Sequence, residues 1–147
     1  MIAKRILPFI LLLISITGFG QDFKEKREQI KQLKVAFITT EVGLTTEEAT
    51  KFWPIYNTFD ERQFELRHKK MRGFQNNMKD DAIDKMTEKE ALAFLNQIEN
   101  TEEELFNLRL KLIADLKTVL SPTKILKFKK AEDDFNRKLL RQMRDRK

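Results

Sequence analysis

The chain has 147 residues, of which 35% are charged and 41% hydrophobic, and its formal net charge is +6. It contains no cysteine, one histidine and four glycines. These counts exclude a disulfide framework and argue against a histidine–cysteine metal site, and the glycine positions exclude a phosphate-binding loop and a dinucleotide-binding fingerprint.

Residues 1–20 have the pattern of a secretory signal sequence. Lys4 and Arg5 form a basic start, 6–16 is an apolar run, and Gly18 and Gly20 are small residues before a cleavage site. The apolar run is shorter than the roughly 20 residues that cross a bilayer, so we favour cleavage near Gly20 over a retained membrane anchor. We therefore expect a periplasmic protein with no integral membrane segment after cleavage and a single domain over residues 21–147.

The first helix is predicted from Asp22 to Gly43, because glycine suits the left-handed position that ends many helices. Its apolar residues recur seven apart and form a narrow seam for packing against a partner helix. This seam comprises Phe23, Ile30, Phe37 and Leu44, with Leu33 between them.

Three later helices are each predicted to begin at a hydroxyl residue that follows an apolar one. The pattern occurs at Leu44-Thr45, Met86-Thr87 and Leu120-Ser121, each time with a phenylalanine eight positions after the apolar residue. A Thr or Ser at the N-cap accepts a hydrogen bond from a backbone N–H of the first turn. Glu48 and Glu90 lie three residues after Thr45 and Thr87 and complete two capping boxes.

The second helix is predicted from Thr45 to about Lys79, with two apolar faces that are rotated relative to each other. Pro54 removes the hydrogen bond to the carbonyl of Thr50, which predicts a kink over 50–54 or, alternatively, a break with a new helix at Trp53. The first face comprises Phe52, Ile55, Tyr56, Phe59 and Leu66, and the second comprises Phe64, Met71, Phe74 and Met78.

The third helix is predicted from Thr87 to about Val119, and the fourth follows Ser121 with Pro122 as its first residue. The core line of the third is Leu95, Ile98, Leu105, Leu112, Leu116 and Val119, interrupted by Glu102; that of the fourth is Ile125, Phe128, Phe135 and Leu139. The fold class is therefore all-α, with four helices. The two long helices are rods of about 50 Å, and we expect an extended, bent hairpin whose remaining apolar surface is covered by a second copy in a symmetric dimer.

Residues suited to catalysis are scarce. The only serine after residue 20 is Ser121, whose oxygen serves the cap, so a nucleophilic triad is not expected. Acidic runs such as 102–104 and 132–134 are interpreted as solvated helix faces rather than acid–base pairs or cation sites. His68 and Met71 supply only two of the three or four donors that a metal site needs. We predict no enzyme activity, no cofactor and no metal site.

Two segments are candidates for binding. The helix after Ser121 carries ten basic and four acidic residues over 124–147, which indicates either a solvated face or a contact with an acidic protein or an anionic membrane; the export signal makes nucleic acid a poor partner. In the second helix, aromatic and basic residues alternate, which is typical of core packing but also of a client-binding surface. These candidate client-binding residues are Phe64, Arg67, Met71, Arg72 and Phe74.

The segments Leu44-Thr45-Thr46-Glu47-Glu48 and Leu120-Ser121-Pro122-Thr123-Lys124 resemble the repeated pentapeptide Leu-Thr-x-x-Gln of the Spy/CpxP family of Gram-negative periplasmic proteins. The likeness covers the helical order of nearly the whole chain after residue 20, although Glu48 and Lys124 replace Gln and Ser121 replaces Thr. Residues 48–57 are also similar to envelope proteins described as sensors that work with extracytoplasmic-function sigma factors.

The resemblance implies a cradle-shaped antiparallel dimer of four-helix chains that binds unfolded or envelope proteins on a concave, basic and partly apolar surface without ATP. The motif residues would then be structural caps and not client contacts. The second likeness implies an alternative function, a periplasmic sensor of stress or metal status that regulates a sigma factor through a membrane-bound anti-sigma factor.

Overall fold

The computed structural model describes residues 22–79 and 81–145, and within these ranges it is all-helical, with no strand. The predicted signal sequence lies outside the described residues. The helices are α1 (Asp22–Val42), α2 (Thr46–Asn77), α3 (Glu88–Leu116) and α4 (Pro122–Arg144). The chain divides within α1 into two compact units, Met1–Phe37 and Ile38–Lys147. The predicted all-α class and the four predicted helices are confirmed.

Gly43 ends α1 in the way that the sequence predicts. Its φ is +66°, in the left-handed region that glycine adopts without steric cost. The Gly43 N–H donates to the carbonyl of Thr40 at 3.2 Å, and the Leu44 N–H donates to the carbonyl of Thr39 at 3.1 Å. This pair of hydrogen bonds is a Schellman motif, which satisfies carbonyls at the end of the helix.

Both predicted capping boxes are formed. The Thr45 hydroxyl accepts from the Glu48 N–H at 3.2 Å, and the Glu48 carboxylate accepts from the Thr45 N–H at 2.9 Å. At the start of α3 the Thr87 hydroxyl accepts from the Glu90 N–H at 3.3 Å, and the Thr87 N–H donates to Glu90 at 2.9 Å. The hydrogen bonds that the Thr87 N–H and the Thr87 hydroxyl donate to the Glu90 carboxylate lower the pKa of that carboxyl, since the ionised form is the better acceptor.

Ser121 caps α4 directly before Pro122, as predicted, and accepts from the Lys124 N–H at 3.3 Å. The apolar residues that precede two of the caps are turned inward: Leu44 is half-buried and Leu120 is buried. The start of α4 is therefore held both by its cap and by the core.

Pro54 lies within α2, which is continuous from Thr46 to Asn77. The alternative prediction of a break with a new helix at Trp53 is therefore wrong. Two threonines place their hydroxyls on backbone carbonyls around this point, with Thr50 bonding to Thr46 at 2.8 Å and Thr58 to Pro54 at 3.0 Å. The predicted kink over 50–54 stays a prediction.

The core of the second unit is formed where α2, α3 and α4 meet beside the last turn of α1, and α2 and α3 lie against each other. Phe52 and Phe128 are both fully buried, with ring centroids 5.4 Å apart in an edge-to-face arrangement. Burying such a side chain stabilises the fold by roughly 1.5–3 kcal/mol. The buried apolar residues are Ile38, Val42, Phe52, Tyr56, Phe59, Leu66, Leu112, Leu116, Leu120, Ile125, Phe128, Ala131 and Phe135.

The predicted core line of α3 is wrong at its N-terminal end. Leu95 is 50% exposed, whereas Phe94 is half-buried and its ring lies 6.0 Å from that of Phe74 on α2. Thr101 is buried, and its hydroxyl donates to the Gln97 carbonyl at 2.8 Å, so burial leaves no unpaired hydroxyl. The inward face of α3 is therefore rotated by one residue from the predicted line at this end.

The C-terminal end of α3 also differs from the prediction, since α3 ends at Leu116 rather than near Val119. The Thr118 N–H donates to the Asp115 carbonyl at 3.1 Å, and the Val119 N–H donates to the Leu116 carbonyl at 3.0 Å. These bonds span three residues, as in a 3₁₀ turn, and they tighten the chain before α4 begins.

Candidate interaction surfaces

The described residues contain no group of three or more His, Cys, Asp or Glu side chains that could hold a metal ion. Among the described residues, no helix combines the length and the apolar composition that are needed to span a bilayer. His68 is exposed, with its ring centroid 4.1 Å from that of Phe64. The described side chains that are considered as candidate sites form polar clusters between helices and exposed apolar strips along them.

A buried polar cluster joins α2, α3 and α4. The Tyr56 hydroxyl donates to Glu132 Oε1 at 3.3 Å, and Arg109 Nη1 donates to Glu132 Oε2 at 2.6 Å. The Arg109 guanidinium also lies 5.1 Å from the ring centroid of Phe59, where it is attracted to the aromatic face. Burial and the nearby Glu132 carboxylate raise the pKa of the Tyr56 hydroxyl, so it remains a donor. This polar cluster ties three helices together.

The structure corrects the interpretation of Glu132 as part of a solvated acidic run, since Glu132 is only 8% exposed. Glu132 lies four residues after Phe128 and three before Phe135, so helical periodicity places it on the buried face of α4. Its neighbour Asp133 is exposed. The spacing of Glu132 from Phe128 and Phe135 is therefore a signal in the sequence that predicts its burial.

A second polar cluster links the two motif segments. Lys124 Nζ donates to Glu48 Oε2 at 2.5 Å and to the Gly43 carbonyl at 2.8 Å. The Lys124 ammonium, together with the Thr45 N–H, lowers the pKa of the Glu48 carboxyl. The end of α1, the start of α2 and the start of α4 thus meet at one lysine. Both motif segments act structurally here.

The predicted client-binding residues do not share one face. Phe64, Arg67 and Met71 follow one another at spacings of three and four, so they lie along one strip of α2, with Met71 59% exposed. Met78, seven residues after Met71, continues this strip, which we call the α2 surface. Arg72 is exposed but directly follows Met71, so it lies about 100° around the helix from this strip and is the predicted residue that does not share the face. Phe74, three residues after Met71, lies on the inner border of the same strip, where it packs on Phe94 of α3, with Lys70 Nζ 5.8 Å from its ring centroid.

An exposed apolar strip that sequence analysis missed runs along α3. We call it the α3 stripe. Helical periodicity aligns its apolar members with two glutamates, Glu99 and Glu103, that lie between them. The apolar members are Leu92, Leu95, Phe106 and Leu110, each between 50% and 62% exposed.

The outer side of α4 also exposes apolar side chains, among basic ones. Leu126, Leu140 and Met143 are each exposed to 60% or more. Arg137 is held by Asp134 at 3.1 Å, and the Lys130–Asp134 pair lies at 2.6 Å, so part of the predicted basic excess is neutralised locally. The Asp134 pKa is lowered by the Lys130 hydrogen bond. This side is therefore less basic than its composition indicates.

Comparison with known protein families, with curated proteins and with solved structures finds no match to this chain. Functional inference therefore depends on the residues and their geometry. The features that bear on it are two structural polar clusters and three helix faces that expose large apolar side chains.

Proposed function

We propose that the protein is a periplasmic, ATP-independent binding protein of the Spy/CpxP type, which holds unfolded or envelope proteins on its surface. The observation that carries this proposal is the exposure of large apolar side chains along regular, well-capped helices whose inner faces already form a core. Such exposure is costly for a protein without partners and marks interaction sites. Export by the signal predicted in residues 1–20 would bring the chain to envelope proteins.

The α2 surface has the chemistry that transient binding of unfolded chains needs. Met71 and Met78 are exposed, and unbranched thioether side chains adapt to partners of different shape. Arg67 lies on the same strip and Arg72 is exposed on the neighbouring side of α2, and their charge attracts acidic segments from a distance. Few apolar contacts would then hold a client loosely enough for release.

The proposal extends to a homodimer, because two copies could place their α2 surfaces side by side and so enlarge the area that one client meets. It requires no bound nucleotide, since binding and release follow from weak contacts. No covalent chemistry is involved.

The test is suppression of client aggregation by the purified protein. We expect equimolar protein to lower light scattering from several chemically unfolded clients, acidic ones most strongly, and added salt to weaken the effect. The double variant Arg67→Ser/Met71→Ser should lose most of this activity. The control variant Lys117→Ser/Ile83→Ser also removes one exposed cation and one exposed apolar side chain, but lies off the α2 surface.

Scattering that stays unchanged by the wild-type protein across several clients would overturn the chaperone function. Equal loss in both double variants would locate binding elsewhere than on the α2 surface. Circular dichroism of each variant shows whether its helices are intact.

A further inference from the structure

We infer that the α3 stripe is a docking surface for a cationic amphipathic helix of a partner protein. This surface is separate from the α2 surface, and the inference does not require the proposed chaperone function. The inference follows from the length and spacing of the stripe and from two exposed glutamates on it that form no ion pair with any described residue. These glutamates determine the charge that a partner must carry.

The stripe is long and regular enough to accept a helix. Its members extend from Leu92 to Leu110, which is about 27 Å at 1.5 Å per residue. Two apolar pairs occupy its ends, Leu92 with Leu95 and Phe106 with Leu110, each pair within one turn. The buried residues of α3, including Leu112, lie on a different side of the helix. A helix with an apolar pair at each end matches this pattern.

The four glutamates in the middle of α3 fall into two groups. Those directed to α2 are paired: Glu102 with Lys70 at 2.7 Å and Glu104 with Arg62 at 3.2 Å. Glu99 and Glu103, between the two apolar pairs of the stripe, are exposed and have no ion pair with any described residue. The glutamates of α3 that face α2 are therefore paired with cations of α2, whereas those on the stripe are not paired with any described residue.

The unmatched glutamates define the charge of the occupant. A partner that covers the apolar ends must pass over Glu99 and Glu103, so lysine or arginine at its centre is favoured and an acid there is repelled. Lys111, a cation of α3 itself, does not pair with these glutamates, because its ammonium is bound to Asp115 at 2.5 Å. An anionic membrane surface is disfavoured for the same reason. Because four apolar side chains form a small interface, we expect weak, micromolar binding.

The test uses a fluorescein-labelled helical peptide of about 18 residues, the length of the stripe. It carries leucine pairs at its ends and lysines at its centre, and a matched peptide has glutamate in place of each lysine. Fluorescence anisotropy with the purified protein should show micromolar binding of the lysine peptide and about tenfold weaker binding of the glutamate peptide. Added salt should weaken binding of the lysine peptide.

Variants locate the binding site. Leu95→Ser/Phe106→Ser should abolish binding, and Glu99→Gln/Glu103→Gln should weaken binding of the lysine peptide by about fivefold, as expected for two exposed ion pairs. Controls remove other exposed groups: Leu126→Ser/Leu140→Ser on α4 for the apolar change, and Asp84→Asn/Asp133→Asn for the charge change. These control variants should bind as the wild type does.

Equal affinity for the two peptides, or equal losses in stripe and control variants, would overturn the inference. Sedimentation equilibrium without peptide supplies the other outcome. If the wild-type protein is a dimer that Leu95→Ser/Phe106→Ser dissociates, then a second copy covers the stripe and the inference of a separate partner is wrong.

Discussion

The ion pair between half-buried Arg109 and buried Glu132 gives the sharpest prediction about stability. The side chain of Glu132 is 10% exposed and that of Arg109 is 36% exposed, with 2.6 Å between the bonded atoms. Arg109→Leu removes the cation and leaves a buried carboxylate whose remaining bond in this cluster comes from the Tyr56 hydroxyl. Glu132→Gln keeps a side chain of the same shape that can still accept from Arg109 and meet Tyr56.

The two single changes should therefore differ. Leaving one ion of a buried pair without its partner costs about 3–5 kcal/mol, and we expect Arg109→Leu to lie near the lower end, at about 3 kcal/mol. Glu132→Gln weakens a charged hydrogen bond to a neutral one and should cost about 1 kcal/mol. The double variant leaves no unpaired charge, so its cost should be about 2 kcal/mol, well below the sum of the two single changes.

Denaturant unfolding followed by circular dichroism at neutral pH measures these free energies of unfolding. Arg62 and Glu104 provide the matched control, because this pair also joins two helices, here α2 and α3, but its side chains are 53% and 47% exposed. The corresponding cycle, Arg62→Leu with Glu104→Gln, should show a coupling below about 0.5 kcal/mol. If the costs of Arg109→Leu and Glu132→Gln simply add, the reasoning about the buried carboxylate is refuted.

Three further predictions concern backbone conformation, a helix cap and pH. Gly43→Ala should destabilise the fold by about 1 kcal/mol because φ is +66° there. Gly73→Ala should stabilise it by about 0.5–1 kcal/mol, because alanine favours a helix and its Cβ would meet the nearest atoms at the ordinary contact distances of 3.5 and 3.6 Å. Opposite shifts in the denaturation midpoint check this pair of predictions. Thr87→Ala should cost about 1 kcal/mol by removing the cap of α3, measured in the same way. The lowered pKa of Glu48 contributes stability that is present above its ordinary value of 4.5 and is lost as pH falls through the folded pKa. The raised pKa of Tyr56 contributes stability that is present below its ordinary value of 10.0 and is lost at higher pH. Denaturation midpoints measured across pH should therefore fall at both extremes.

The helix starts could be predicted from the sequence because their signals are local. A hydroxyl at the N-cap, a glutamate three residues later and a proline at the first helical position act within one turn, so they need no knowledge of the rest of the fold. Thr45, Thr87 and Ser121 are all found as caps. Gly43 likewise ends α1 with positive φ. All-α class and helix order follow directly.

Which side of a helix faces inward was harder to predict, because it depends on neighbours far away in sequence. The line drawn through Leu95 followed a repeat of 3.5 residues, but a regular helix turns once every 3.6 residues, and the difference accumulates over several turns. Phe94 therefore packs on α2 in place of Leu95. Glu132 was misjudged for a related reason: a charge is acceptable on the buried face only because Arg109 and Tyr56, on two other helices, meet it there.

The contact between Glu48 and Lys124 bears on the proposed kinship with Spy/CpxP proteins. These are the two positions at which the chain replaces glutamine of the Leu-Thr-x-x-Gln pattern, and each replacement alone would weaken the resemblance. The two side chains lie 2.5 Å apart and are about three-quarters buried, so one replacement supplies the charge that the other requires. In this chain the two side chains complement each other at the junction of the helix ends. Because this junction lies apart from Arg67, Met71 and the α3 stripe in sequence, the motif segments hold helix ends together, while the residues proposed for binding lie along the helix faces.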